Sequence, residues 1–416
     1  MPAMLLLTAA AAGLSSTSTL WAANWPEFRG PTAQGIVADG ALPTDWSDTK
    51  NVAWKQAIPG LGWSSPIVVD GRIYLTSAVP VEGGKEGELS LQALCLDGDA
   101  GKQKWAKEIF HEDPTAPHPH TKNSHASATP LIQGDRLYVH FGHMGTACLD
   151  LEGNIQWKNN ELHYAPVHGN GGSPVLVDGS LIFSCDGSDK RFVVALDAAD
   201  GHVLWKKERT EKPEKGFSFG TPLVITVGDR KEVVSQGSNV VAAYDPKSGE
   251  EIWRVRYKGY SVVPRPVFGN GLLYVCTGFD APTVFAVKPD GKGDVTDTHV
   301  VWTINKNAPN SPSPLLLGDQ LYMVSDHGVI SCLNALTGEE IWSQKVGGGF
   351  SASPIAADGK VYFLSEDGVG WVVKVGKQYE LIAKNPINEK TLASFAVLDG
   401  SLLIRTETSL YRIKGK

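Results

Sequence analysis

The chain has 416 residues, more than one ordinary domain unless a repeated unit builds a single body. Hydrophobic residues make up 42% and charged residues 20%, a globular balance that excludes intrinsic disorder. A net charge of −7 with no basic stripe argues against nucleic acid and anionic lipid as partners, and 45 glycines with 25 prolines favour short strands over long helices.

The first segment, "MPAMLLLTAAAAGLSSTSTLWAAN", carries an apolar run from Met4 to Leu14 with no charged side chain. The run is too short to span a bilayer and suits a secretory leader cleaved near Ala22 or Ala23, although it has no basic n-region. The expected division is a signal peptide over 1–23, an extended lead-in over 24–50 and a repeat body over 51–416. The expected location is periplasmic or extracellular, with no membrane span.

From residue 64 onward one phrase recurs: "SSPIVVDGRIYLTS", "ATPLIQGDRLYVHF", "GSPVLVDGSLIFSC", "RPVFGNGLLYVCTG", "PSPLLLGDQLYMVS", "ASPIAADGKVYFLS" and "SFAVLDGSLLIRT". Each is an apolar run, a two-residue turn that accepts positive φ, and a second apolar run, which is a β-hairpin signature. "TPLVITVGDRKEVVSQ" supplies an eighth copy with a longer turn. A second phrase follows five of the hairpins: "CLDGDAGKQKW", "CLDLEGNIQW", "ALDAADGHVLW", "AYDPKSGEEIW" and "CLNALTGEEIW". It predicts a third strand, a turn closed by Asp and Gly, and a fourth strand ending at Trp. Copy five reaches Trp302 through a longer turn, and copy seven has lost its Trp. Spread over residues 51–416, eight copies average about 46 residues, the period of propeller blades.

The last copy has three strands, and the strand "NVAWKQ" at 51–56 has no blade in front of it. The expected solution is an eight-bladed, all-β propeller of four-stranded antiparallel blades, in which the N-terminal strand completes the C-terminal blade. The "ALDAADGHVLW" repeat resembles that of pyrroloquinoline-quinone-type propellers over nearly everything after residue 50. That family includes quinoprotein alcohol dehydrogenases and the propeller lipoprotein of the outer-membrane assembly machinery. The opening "NWPEFRGPTAQG" is similar to the lead-in of exported bacterial propellers with this repeat.

The resemblance implies an inter-blade packing role for the Trp, and it raises quinone chemistry as an alternative function. Quinoprotein dehydrogenases use calcium, a carboxylate base and a sandwich formed by Trp and an adjacent Cys–Cys disulfide. This chain has no Cys–Cys pair and no Cys-x-x-Cys-His. No cofactor is therefore expected, with pyrroloquinoline quinone and calcium as the alternative. Cys95, Cys148 and Cys332 share one repeat position, filled elsewhere by Ala195, Ala243 and Ala286, so the five cysteines read as small core residues without disulfides. Eight of the eleven histidines fall between His111 and His168, in loops whose spacing matches no metal site.

Alternation places the Asp-Gly hairpins on one face and the irregular loops on the other. The irregular loops are expected to bring Arg265, Arg405, His125, His143, His168, Asn170, Asp280, Asp326, His327 and Glu366 to one mouth of the central channel. Among them Arg265, between two prolines in "SVVPRP", is the expected anchor. Trp63, Tyr164 and Tyr260 are loop aromatics of the kind a glycan-binding surface uses. The function expected is a non-enzymatic binding or assembly scaffold, a monomer that takes an envelope protein or small ligand at this mouth. The alternative is a quinone-dependent oxidoreductase using the same face.

Overall fold

The computed structural model describes residues 24–38 and 40–415; the leader expected over 1–23 lies outside them. Eight antiparallel sheets follow one another, with first strands starting at Ile67, Leu131, Val175, Leu223, Val267, Leu315, Ile355 and Ala396. They are numbered here as blades 1–8 in that order. Blade 3 is representative, with strands Val175–Val177, Ser180–Asp186, Arg191–Asp197 and Val203–Glu208 paired in sequence. The ring closes as the orphan strand requires: Val52–Ala57 pairs antiparallel with Ser409–Lys414 as the fourth strand of blade 8. Among the described residues no helix is long and apolar enough to cross a membrane.

The repeated Gly and Trp form the joint between blades. Trp157 ends blade 2 and lies on Gly201 of blade 3, where a Cβ would sit 2.4 Å from the indole and φ is +80°. Its Nε1 donates to Ala198 O at 3.2 Å. The same joint recurs where Trp54 meets Gly101, Trp105 meets Gly153, Trp205 meets Gly249 and Trp302 meets Gly338. Only glycine combines the positive φ with room for an aromatic face. The longer turn of copy five changes the joint after blade 4. There Gly293–Asp294 adds a fifth, parallel strand beside Glu251–Arg256, and the fully buried Trp253 donates instead to Glu232 Oε2 at 2.7 Å.

The small residue in the second phrase is explained by register. Cys95, Cys148 and Cys332 stand directly across from Trp105, Trp157 and Trp342, and Ala195 and Ala243 face Trp205 and Trp253. Beside an indole packed into the next blade, only a small side chain fits. All five cysteines are buried and free. Burial pushes the thiols of Cys95 and Cys148 up to about 11, so they stay protonated and unreactive at neutral pH. Thiol titration without reductant should find five reactive groups in denaturant and close to none in the native protein. Three or one in denaturant would mean that a disulfide forms.

The lead-in is wound into the channel. The first strand of each blade has one free edge, and those edges need partners. Trp25 exchanges both backbone hydrogen bonds with Val68 of blade 1, and Pro26 O accepts from Ile132 N of blade 2 at 2.9 Å. Gln34 Oε1 accepts from Phe268 N of blade 5 at 2.7 Å, while Gly35 and Val37 bracket Ala356 of blade 7. Trp46 then packs on Gly370 of blade 7, the blade whose fourth strand lacks the repeated Trp. The N-terminal segment therefore ties together blades that are not neighbours.

Candidate functional site: a cavity above the plugged channel

The residues that precede the eight first strands are Ser65, Thr129, Ser173, Thr221, Arg265, Ser313, Ser353 and Ser394. They form a ring. Ser65 N donates to Thr129 Oγ1 at 3.0 Å, Thr129 N to Ser173 Oγ at 2.9 Å and Ser173 N to Thr221 Oγ1 at 3.0 Å. After blade 5 the pattern resumes from Arg265 N to Ser313 Oγ at 2.9 Å, and Ser394 N closes it on Ser65 Oγ at 3.2 Å. The hydroxyls thus stitch successive inner strands together around the axis.

Arg265 is the one member without a hydroxyl. Its guanidinium is 1% exposed and turns toward the lead-in. Nε donates to Pro222 O at 2.9 Å, Nη1 to Phe28 O at 2.8 Å, and the fork meets Glu27 Oε2 at 3.2 Å. Its donors are spent holding the plug. Arg405 is likewise buried, donating to Ser64 O and Oγ and to Thr76 O across the seam between blades 8 and 1. With no carboxylate facing it, burial lowers its pKa to about 9. Both arginines expected at the mouth are instead buried within the body of the ring.

Above the ring opens a cavity of about 730 Å³, with Phe28 of the lead-in among its lining residues. The lining segments beyond the lead-in either enter a first strand or join a second strand to a third, so the cavity sits on the irregular face. Of the residues expected there, His168, Asp326 and His327 line it. Asp326 accepts from Asn310 N at 2.6 Å and Ser311 Oγ at 2.7 Å, which fixes the loop into blade 6. Glu366 stands at the rim, accepting from Ser351 Oγ at 2.6 Å and from Lys122 Nζ at 2.7 Å, an ion pair between the loop into blade 2 and blade 7. Asp280 is exposed at φ +83° next to Phe279 in the loop between the second and third strands of blade 5, and Asn170 accepts from the Tyr164 hydroxyl at 3.3 Å.

His125 and His143 are drawn to another centre. They sit 2.6 Å and 3.6 Å from the buried carboxylate of Glu112, at the end of the outer strand of blade 1. Burial lowers the pKa of His143, and Glu112 opposes that shift. Beside it His140 is fully buried, with Nδ1 2.8 Å from Thr146 Oγ1, and desolvation pushes its pKa down to about 3. An unfolded histidine takes its proton near pH 6.5, whereas this one stays neutral in the fold. Stability should therefore be full above pH 6.5 and fall as the pH drops toward 3, by about 3 kcal/mol at pH 4 from this group. In His140→Gln the difference in urea stability between pH 7 and pH 4 should shrink by that amount; an unchanged difference would remove His140 as its source.

An aromatic arc was not foreseen as a unit. His120 stacks edge-on with His168 at 5.4 Å, His168 with Phe217 at 5.3 Å, Phe217 with Tyr260 at 5.6 Å and Tyr260 with Phe279 at 5.8 Å. These rings come from separate loops, and Phe217 belongs to "GFSFG", which carries no catalytic signature of its own. Lys122 and Lys215, which also line the cavity, were equally unmarked. The hydroxyl ring did leave a trace in sequence, as the Ser or Thr that precedes proline in six of the eight copies.

The family model described as "Outer membrane protein assembly factor BamB" matches the chain over residues 15–190, 189–292 and 237–377. The chain belongs to that family. The BamB of Shewanella oneidensis is 28% identical over 195 residues, 44% of this chain and 45% of the relative. Methanol dehydrogenase [cytochrome c] subunit 1 of Methylobacterium organophilum is 30% identical over 166 residues, 33% of this chain and 24% of the relative. These matches span about half of the BamB relative's length and a quarter of the dehydrogenase's. The crystal structure of BamB from Moraxella catarrhalis superposes with a TM-score of 0.61 at 14% identity, covering 88% of this chain and 97% of that one, which shows the fold.

A quinone with calcium would need a free carboxylate ligand and an adjacent cysteine pair here. The lining carboxylate is Asp326, both of whose oxygens already hold the loop into blade 6, and the cysteines are buried singly opposite tryptophans or inside their blades. These residues do not fit that donor set.

Proposed function

We propose that this BamB-family propeller is exported by a leader over 1–23, keeps 24–50 as a lead-in to the propeller body of 51–416, and serves the cell envelope as a monomeric binding or assembly scaffold. The proposal places its partner, an envelope protein or a small ligand, at the cavity-bearing mouth. The observation that carries this reading is the one-ended cup. The lead-in occupies one end of the channel, and the irregular loops surround an open cavity at the other. A rigid scaffold with variable loops around one concavity is the usual arrangement of a binding protein.

The variants His168→Ala and His327→Ala should fold normally and lose a co-purifying partner from an envelope extract. Lys247→Ala and Lys360→Ala, on the hairpin face, should retain it. Equal loss from both faces would end the reading. The oxidoreductase alternative rests on the methanol dehydrogenase relatives. It predicts a visible-absorption change and dye reduction when pyrroloquinoline quinone and calcium are added, and the scaffold reading predicts neither.

A further inference from the structure

We propose that the cavity is a saccharide site, taking a short neutral oligosaccharide whose ring faces lie on the Phe217–Tyr260–Phe279 arc and whose oxygens meet the hydroxyl ring at the floor. This deepens the reading that the mouth is the binding face, and rests on it. The first argument is an excess of donors. Ser65, Thr129, Ser173, Thr221 and Ser394 each accept a backbone N–H through the side-chain oxygen, but among the described residues none has an acceptor for its own O–H. A hydroxyl carries one donor besides its acceptor sites, so five protons are left to face the cavity. Trp63, 6% exposed and also in the cavity wall, has an Nε1–H with no partner. A buried donor left unmatched costs about 1–3 kcal/mol, which favours an occupant rich in acceptor oxygens.

The second argument is the opposite wall. The arc presents aromatic carbon at the cavity, and Phe279 at its outer end is 53% exposed. Such surface suits the C–H face of a pyranose, which is apolar while its edge is polar. The third is charge. Lys122 is paired with Glu366, the Asp326 oxygens are held by Asn310 and Ser311, and the Lys215 ammonium lies 4.5 Å from the centre of the Tyr260 ring. Among the described residues no cluster of free cations lines the cavity to repay the desolvation of a phosphate or polycarboxylate. An extended peptide carries its C=O acceptors in fixed alternation with N–H donors, and half of its backbone groups would add donors to a floor already short of acceptors. A sugar hydroxyl both accepts and donates, so it also serves the unpartnered Asn310 Oδ1 in the same wall. A volume of about 730 Å³ falls within the usual range for ligand sites, about 300–1,000 Å³.

The test is calorimetric titration of the full chain with maltotriose, cellotriose and tri-N-acetylchitotriose, with Trp fluorescence read in parallel. At least one should bind saturably with a Kd below about 1 mM. Tyr260→Ala and Phe217→Ala should each weaken it about tenfold with unchanged melting temperature. The conservative Tyr260→Phe keeps the stacking face and should restore most of the binding. Absence of binding by all three sugars, or binding indifferent to Tyr260→Ala, overturns the inference. If an envelope protein docks at the mouth in a His168-dependent way and these sugars do not displace it, the saccharide assignment falls and the mouth reading stands. If neither sugar nor partner depends on the mouth residues, both fall.

Discussion

Arg265→Ala should cost about 3 kcal/mol of unfolding free energy and free the lead-in from the channel. The side chain is buried, and its loss strands Glu27 and leaves Phe28 O and Pro222 O without their donor. Much of that cost is the penalty of an abandoned partner, so adding Glu27→Gln should recover part of it, a coupling that a double-mutant cycle would resolve. Arg265→Ser should do less damage than Ala, because it returns a hydroxyl to the fifth position of the ring, where Thr221 N–H has none to meet. Urea unfolding measures the stability, and limited proteolysis near residue 30 measures the release. A variant of normal stability that loses its partner would instead make Arg265 a binding anchor.

Deleting residues 24–57 should abolish cooperative unfolding or drive the protein to aggregate. The deletion removes the strand Val52–Ala57 and exposes the whole edge of Ser409–Lys414, with the buried Leu410, Tyr411 and Ile413 beside it. It also removes Trp54 from Gly101, opening the joint between blades 8 and 1, and empties the channel. A shorter deletion of 24–50 separates the two effects. It keeps the closing strand but strips the lead-in from Val68, Ile132 and Ala356, so a soluble ring with a lower melting temperature is expected. Size-exclusion chromatography and calorimetry distinguish these states. A monomeric 24–57 deletion that melts cooperatively at the normal temperature would show that the seam needs no strand from the N-terminus.

The ring closure was legible because it is a counting argument. A three-stranded last copy and an unclaimed strand at 51–56 leave two edges, and unpaired edges seek each other. The cysteines were legible for a similar reason, since a position that alternates between Cys and Ala reports the size of a slot, here the space opposite a packed indole. The mouth was legible as a face but not as a set of side chains. Loop periodicity says which end of a strand a residue leaves from, and says nothing of whether its side chain then turns inward. Arg265 and Arg405 turned into the body of the ring, where a long side chain reaches backbone carbonyls of the next blade or the lead-in. His125 and His143 turned to Glu112, a carboxylate that their own loops gave no sign of.

What repeats along the chain could be read from it: eight hairpins, the Gly–Trp joint, the closing strand and the small core slots, all set by interactions between residues at fixed offsets within a copy or between consecutive copies. What only the tertiary structure decided is what does not repeat. The lead-in sits on blades 1, 2, 5 and 7, Lys122 pairs with Glu366, and five rings from separate loops make one arc. Those contacts join residues far apart in the chain, Gly35 and Ala356 standing 321 positions from each other, and closing the ring is what brings them within reach. No local pattern encodes them, because each partner is chosen by proximity at the axis and not by position in the repeat.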